Sequence, residues 1–265
     1  MTVTAGDIAN KLEAFAPAAL AEKWDNVGLL VGGFGAAVRR VLIALDADGA
    51  AVAEAEQTGA DLLIVHHPIM HSPINRITDA TPEGRLILRL IQSNIALFAA
   101  HTNLDSADGG VNDALARALG LTDIQPLRTD GFDGSARMGN VTPRALEEFS
   151  RFVGDALGSA VIKRTGNPSG TVRKVGVCGG AGAFMLTGAQ KSGCDVLVTG
   201  EGKYHDAQLA SELGIGLIEA GHYETEAVVC KPLRDYLTQS FDGIEIMESK
   251  RNHTYYSGFS PPYAG

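Results

Sequence analysis

The sequence predicts an α/β protein built on a duplicated strand–helix–strand unit. Short apolar runs alternate with stretches of helical length, the pattern of strands joined by helical crossovers. VRRVLIALDADGAAVAEAEQTGADLLIV, from Val38, also matches VRKVGVCGGAGAFMLTGAQKSGCDVLVT, from Val172, without a gap. The two valines lie 134 residues apart, as do Asp61 and Asp195, and as do His71 and His205. SNIALFAAHTNLD (93–105) then aligns with LGIGLIEAGHYETE (213–226) if one residue is inserted. Units of this kind look alike because they obey the same packing rules, but ungapped identity at VR, V, G, D and the later histidine favours duplication.

The elements follow in order. An opening helix is expected over Ala5–Ala16, and Pro17 to Asn26 leads into GLLVG. Residues 38–104 alternate strand and helix, and Gly109 and Gly110 precede a helix, VNDALARALGL. Residues 121–140 read as turn-rich, and Pro143 suits the first turn of a helix near 142–157. Residues 158–170 are polar and Gly-rich. The second unit closes near 240 in EAVVCKPLRDYL, where Pro232 kinks or breaks the helix. FDGIEIMES reads as a last strand and NHTYYSGFSPPYAG as an extended tail.

Composition narrows the classes of function. The 265 residues suffice for one or two domains with a substantial core. A net charge of −9 argues against non-specific nucleic-acid binding, which relies on a basic footprint, although a local basic patch escapes that argument. Low aromatic content points the same way. No apolar run approaches a membrane span, and MTVTAGDIANKLEAFAP does not read as a secretory signal. Cys178, Cys194 and Cys230 are widely spaced and lack CxxC spacing, so reduced, packed thiols in a cytoplasmic protein are expected.

Chemistry gathers at the strand ends. LLIVHHPIMH places His66 and His67 where a buried strand stops, since Pro68 lacks an amide donor and keeps residue 67 extended. Ligands of open α/β sheets collect beyond the carboxyl ends of the strands. His101 with Asp105, and His222 with Glu226, repeat a His-x-x-x-carboxylate arrangement after later strands. Each piece alone has an ordinary reading. A histidine can be a polar strand cap, Asp105 a turn acceptor, and Glu226 a first-turn acid favoured by the helix dipole. Together, four imidazoles and two carboxylates suffice for two divalent ions, and the mixed nitrogen and oxygen set suits Zn, Fe, Mn, Co or Ni better than Mg or Ca. His71 is either loop or an outer contact, and His253 lies in the tail.

WDNVGLLVG (24–32), LLIVHHPIMH (62–71), AHTNLDSADGGVNDALA (100–116), TGEGKYHDA (199–207) and GHYETE (221–226) resemble, in order, the signature blocks of the Nif-three-like family, whose members are often named type 2 homologues of GTP cyclohydrolase I. The middle of the chain has no room for the inserted domain of longer members, so it looks like the short bacterial form. The resemblance implies two similar, interleaved α/β lobes, here drawn as 1–125 and 126–265, with a dinuclear metal site between them. It also implies a toroidal homohexamer. Carried over by position, His66, His67, Asp105, His222 and Glu226 match the family's ligands, with Glu226 the bridging one, and His101 sits at the edge of that site. Gly202 departs from the pattern, where a larger apolar residue is common.

Two functions fit. In the first, a metal-dependent hydrolase holds a metal-bridging water whose pKa the ions lower, and His101 or His205 moves protons. Its small-molecule substrate cannot be read from the residues. VGGFGAA (31–37) precedes a strand, the wrong order for a nucleotide-binding turn, and GTP enters only through the family's usual name. In the second, the metals staple or regulate a non-catalytic ring assembly. Tyr204 and His205 stand near the metals if the duplication holds. Lys203 either neutralises an anionic ligand or lies in a polar loop, and Trp24, Asp25 and Asn26 either shape a rim or anchor a turn.

Overall fold

The computed structural model describes residues 2–129 and 132–257. Its strands are β1 (Gly28–Val31), β2 (Arg40–Asp46), β3 (Leu62–His67), β4 (Ala96–Ala99), β5 (Thr122–Thr129), β6 (Phe132–Ala145), β7 (Lys163–Thr165), β8 (Thr171–Cys178), β9 (Val196–Thr199), β10 (Gly216–Glu219) and β11 (Glu245–Glu248). Its helices are α1 (Ala5–Phe15), α2 (Gly49–Thr58), α3 (Pro82–Gln92), α4 (Thr102–Ser106), α5 (Val111–Ala118), α6 (Leu146–Leu157), α7 (Leu186–Lys191), α8 (Tyr204–Leu213), α9 (His222–Glu226) and α10 (Cys230–Ser240). The fold is mixed α/β with two sheets, and the chain divides into two compact units. The first comprises residues 1–111 and 229–252, and the second 112–228 and 253–265. The second unit thus begins at Asn112, compared with the boundary expected near 125, and the chain later returns to the first.

The first unit carries the five-stranded sheet β1-β4-β3-β2-β11. β2, β3, β4 and β11 are parallel, and β1 closes the edge antiparallel to β4. Successive strand residues face opposite sides, so the unbroken apolar runs feed two layers. Val41, Ile43, Leu62, Ile64 and Phe98 pack with Ile8 and Leu12 of α1 and Leu233 and Leu237 of α10. Leu42, Leu63, Val65 and Leu97 pack on the other side with Val52 of α2 and Ile87 and Leu90 of α3. The caps explain the helix starts. Thr4 and Asp7 form a reciprocal capping box on α1, Asp48 caps α2, and Thr81 caps α3 just ahead of Pro82.

The second unit carries the six-stranded sheet β5-β6-β8-β9-β10-β7, whose middle strands β8, β9 and β10 are parallel. Val175, Val177, Val196, Val198 and Ile218 pack with Leu115, Phe149 and Val153, while Leu197 and Leu217 pack with Leu186, Ala189 and Ala210 on the opposite face. Two expectations are corrected here. Residues 121–140 are not turn-rich loop; they form most of the β5–β6 hairpin, because β6 finds a partner in β8. The helix expected near 142–157 begins at Leu146, with Pro143 still in β6. The register of β6 on β8 breaks between Asn140 and Arg144, which absorbs a residue with no amide donor.

Pro232 is the third residue of α10, after a 3-10 turn over Ala227–Val229. Its missing N–H is one that a helix start leaves without an intrahelical partner. FDGIEIMES supplies β11 as expected. Residues 258–265 of the expected extended tail lie outside the described residues. No described helix is long and apolar enough to cross a membrane.

Candidate metal centre

In the first unit, β2 and β3 end side by side, and the turn after β4 comes back over them. The β2–β3 register pairs Asp46 with His67, and His67 Nδ1 lies 2.8 Å from Asp46 Oδ1. His66, one residue earlier, is buried and its Nδ1 lies 2.8 Å from Ala100 O, just past β4. His101 follows as the N-cap residue of α4, with Nδ1 2.9 Å from Asp25 Oδ1. A carbonyl or carboxylate oxygen only accepts, so all three rings donate through Nδ1, which fixes their tautomer and turns Nε2 to the other edge. The adjacent side chains His66 and His67 converge because the strand stops at His67.

The rings form a tight set. Centroids are 4.9 Å apart for His66 and His67, 5.1 Å for His66 and His101, and 5.5 Å for His67 and His101. One nitrogen from each lies within 4.8 Å of the others. Asp105 on α4 approaches from the side, with Oδ1 3.6 Å from His66 Nε2. The exposed Trp24 indole and the His71 ring lie edge-on to His101, at 5.9 and 6.1 Å between centroids.

Asp25 holds this arrangement from behind. Its carboxylate is fully enclosed and accepts from His101 Nδ1, from the Thr102 amide at 3.0 Å and from the Thr102 hydroxyl. Burial pushes the Asp25 pKa up, but the hydrogen bonds from His101 and Thr102 outweigh it and hold the carboxyl well below its ordinary range. Asn103 secures the same turn, accepting from the His101 amide at 2.9 Å and donating to Ala16 O at 2.7 Å.

In the second unit, His222 and Glu226 lie on one face of α9, with Nε2 3.1 Å from Glu226 Oε2. Glu201, just past β9, reaches His222 Nδ1 at 3.2 Å. Glycines make room for the pair. A Cβ at Gly180, where φ is +58°, would lie 2.2 Å from Glu226 Oε1, and one at Gly200 would lie 2.8 Å from His222 Cα. Two buried hydroxyls lock this loop: Thr225 Oγ1 accepts from the Gly180 amide at 3.1 Å, and Thr199 Oγ1 donates to Gly180 O at 3.1 Å. The residue inserted when the two halves are aligned is Gly221, with φ +96°. Glu201, Lys163, Glu224 and Tyr256 join His222 around a cavity of about 460 Å³.

The structure brings His66, His67 and His101 together in the first unit, beside Asp105, and His222 with Glu226 in the second. His205 is exposed on α8, its Nδ1 3.5 Å from Gln208 Oε1, and belongs to no cluster of ligand-type side chains among the described residues. Sequence reasoning missed Asp46 and Glu201 and left Asp25 undecided; the only signal for the first two was their place at a strand end. The three cysteines are buried thiols. Burial pushes the Cys194 thiol up to about 11 and that of Cys230 up to about 12, which makes both poor nucleophiles.

A family model described as Duf34/NIF3 (NGG1p interacting factor 3) matches residues 3–254. The chain belongs to the DUF34/NIF3 family. Relatives of this DUF34/NIF3 protein include the GTP cyclohydrolase 1 type 2 homolog of Clostridium perfringens, 32% identical over 249 residues, which are 92% of this chain and 95% of the relative. The protein of the same name from Streptomyces coelicolor is 36% identical over 234 residues, 85% of this chain and 82% of the relative. The crystal structure of Staphylococcus aureus hypothetical protein SA1388 superposes with a TM-score of 0.92 at 28% identity, covering 98% of this chain and all of that one (100%). Reduced HcgD from Methanocaldococcus jannaschii matches with a TM-score of 0.78 at 29% identity, covering 94% of this chain and 98% of that one.

Proposed function

We propose that this DUF34/NIF3 protein holds two divalent metal ions and works as a metal-dependent hydrolase. In this reading His66, His67 and Asp105 of the first unit, and His222 and Glu226 of the second, would hold the ions, Glu226 being the residue that the family resemblance gives the bridging role. The observation that carries it is how the imidazoles are held. His66, His67 and His222 each commit Nδ1 to a carbonyl or carboxylate, which orients Nε2 and raises its basicity, as in protein metal sites generally. Nitrogen with carboxylate oxygen suits Zn, Fe, Mn, Co or Ni.

Divalent ions bound there would supply a Lewis acid and an acidified water. The chain itself does the rest. Gly180 and Gly200 leave Glu226 and His222 the space they occupy, and Asp46, Glu201 and Ala100 O fix the donors. The cavity beside His222 gives a small molecule room to approach that side chain. Lys163 on its wall, 3.1 Å from Glu219, offers a cation to an anionic substrate. His205, exposed on α8, is placed to exchange protons with solvent. The relatives' name makes GTP the first substrate to test, beside other nucleotides and phosphoesters. The resemblance to the family's ring assemblies makes a homohexamer the assembly to look for by sedimentation.

The test is metal content by elemental analysis, on protein purified without a metal-affinity tag, before and after chelation and reloading. About two ions per chain are expected, with fewer in folded His66→Ala and Glu226→Ala variants. No metal above background after reloading with Zn, Mn or Fe overturns the proposal. Full metal with no turnover on nucleotides or phosphoesters leaves the metal site standing and overturns the hydrolase.

A further inference from the structure

We infer that the pocket between β7 and the start of α8 is a phosphate subsite formed by Lys163, Lys203 and Thr165, and that its occupant is the phosphate group of a small phosphate ester. The subsite is separate from the proposed metal ligands: none of His66, His67, Asp105, His222 and Glu226 lines it. Only the step that joins it to the cavity beside His222 rests on the proposed function.

A strand of 3 residues brings the groups together. KRT lies in the polar, Gly-rich stretch 158–170, yet it pairs antiparallel with β10, setting Lys163 opposite Glu219 and Thr165 opposite Leu217. Residues two apart on a strand share a face, so these four side chains lie on one side of the sheet. Arg164 lies on the other, its guanidinium paired with Glu147 of α6. Lys203 and Tyr204, at the start of α8, complete a pocket of about 320 Å³.

The pocket holds donors that the fold does not use. Lys163 Nζ gives one N–H to Glu219 Oε2, 3.1 Å away, and an ammonium has others to give. That carboxylate is mostly enclosed, its side chain 11% exposed, and Lys163 neutralises it. The Lys203 ammonium has no hydrogen-bond or ion-pair partner among the described residues; its backbone amide donates to Asp206 at 2.7 Å. Thr165 Oγ1 accepts from the Leu217 amide at 3.2 Å, which leaves its own O–H to donate. The nearby acids Glu201 and Asp206 line a neighbouring cavity and not this one. Two lysines against one neutralised acid favour an anion. A phosphate ester offers about three acceptor oxygens and more than one negative charge, so donors on β7 and α8 can reach it from separate sides. The pocket's size and the chain's net charge of −9 suit a small ester over a nucleic acid. Lys163 and Glu219 also line the cavity beside His222, so an ester held here extends its organic part toward that side chain.

The test is titration calorimetry of the full-length protein with inorganic phosphate, ribose 5-phosphate and ribose, at low ionic strength because salt screens exposed charges. It is run on the protein as purified and again after chelation. Phosphate and ribose 5-phosphate should bind in both states, the ester more tightly, and ribose should give no signal. Lys203→Ala and Lys163→Ala should each weaken ribose 5-phosphate about 10-fold, and Thr165→Val about threefold. Lys203→Arg keeps the charge and should keep most of the affinity. Lys250→Ala, which removes an exposed lysine of the first unit, should change nothing. Lys203 caps α8 through its backbone, so its replacement spares the fold even if loss of Lys163 unsettles β7.

Phosphate binding that vanishes on chelation is binding to metal and overturns the subsite. Binding untouched by both lysine variants, or absent altogether, overturns it too. Equal affinity for phosphate and ribose 5-phosphate overturns the ester as occupant and identifies free phosphate instead. A chain that holds no metal yet binds phosphate through Lys203 overturns the proposed function and keeps the subsite.

Discussion

At the residue scale the site depends on where side chains are absent as much as on where they are present. Gly180 sits at φ +58°, and a Cβ there would fall 2.2 Å from the Glu226 carboxylate. Gly180→Ala therefore strains the backbone by about 1–2 kcal/mol and displaces Glu226. The variant should keep its far-ultraviolet circular dichroism while its metal content drops by about one ion per chain; unchanged metal content would show that Glu226 needs no such room. The strand-end histidines were legible because the apolar-to-imidazole change at LLIVHHP is sharp. Asp25 was not, since WDN reads equally as a turn and its partner His101 lies 76 residues away in sequence. Asp46 needed the register of β2 on β3, which no local pattern encodes.

At the element scale the two units solve the same pairing problem with the same residue. Asp61 Oδ2 accepts from the amides of Arg39 at 2.7 Å and Arg40 at 3.0 Å, which fixes the start of β2 against β3. Asp195 Oδ2 accepts from Arg173 at 2.7 Å and Lys174 at 2.9 Å, fixing β8 against β9. The registers agree as well: Val41 faces Leu62 and Val175 faces Val196, each position 134 residues from its counterpart. Asp61→Ala and Asp195→Ala each remove a carboxylate that accepts two backbone hydrogen bonds and should cost about 1–2 kcal/mol, read from urea unfolding as a lower midpoint. A cost below about 0.3 kcal/mol at either would show that water replaces the carboxylate fully. The β5–β6 hairpin escaped sequence reading because its Gly, Asp and Pro content reads as turns. Pairing with β8, a tertiary contact, decides otherwise.

At the scale of the whole molecule, two βαβ cores were legible because both rest on unbroken apolar runs, while the route of the chain between them was not. Residues 229–252 give the first unit its edge strand β11 and α10, whose Leu233 and Leu237 close one core layer. A chain ending at residue 228 lacks both. It should be recovered insoluble, or bind a hydrophobic dye strongly, whereas the full chain stays soluble; a soluble, cooperatively melting truncation would show that these elements are dispensable. The same return has a consequence during synthesis. A ribosome releases the chain from its N-terminus, so residues 1–111 emerge early but cannot complete their sheet until residue 252 has left the exit tunnel. Through that interval the apolar strand RVLIALD waits without the neighbour it will have on one edge, while all six strands of the second sheet, which lie between residues 122 and 219, have already been made. The sheet begun first is therefore the sheet finished last, and its open edge is the one most exposed to chaperones and to misassembly on the way.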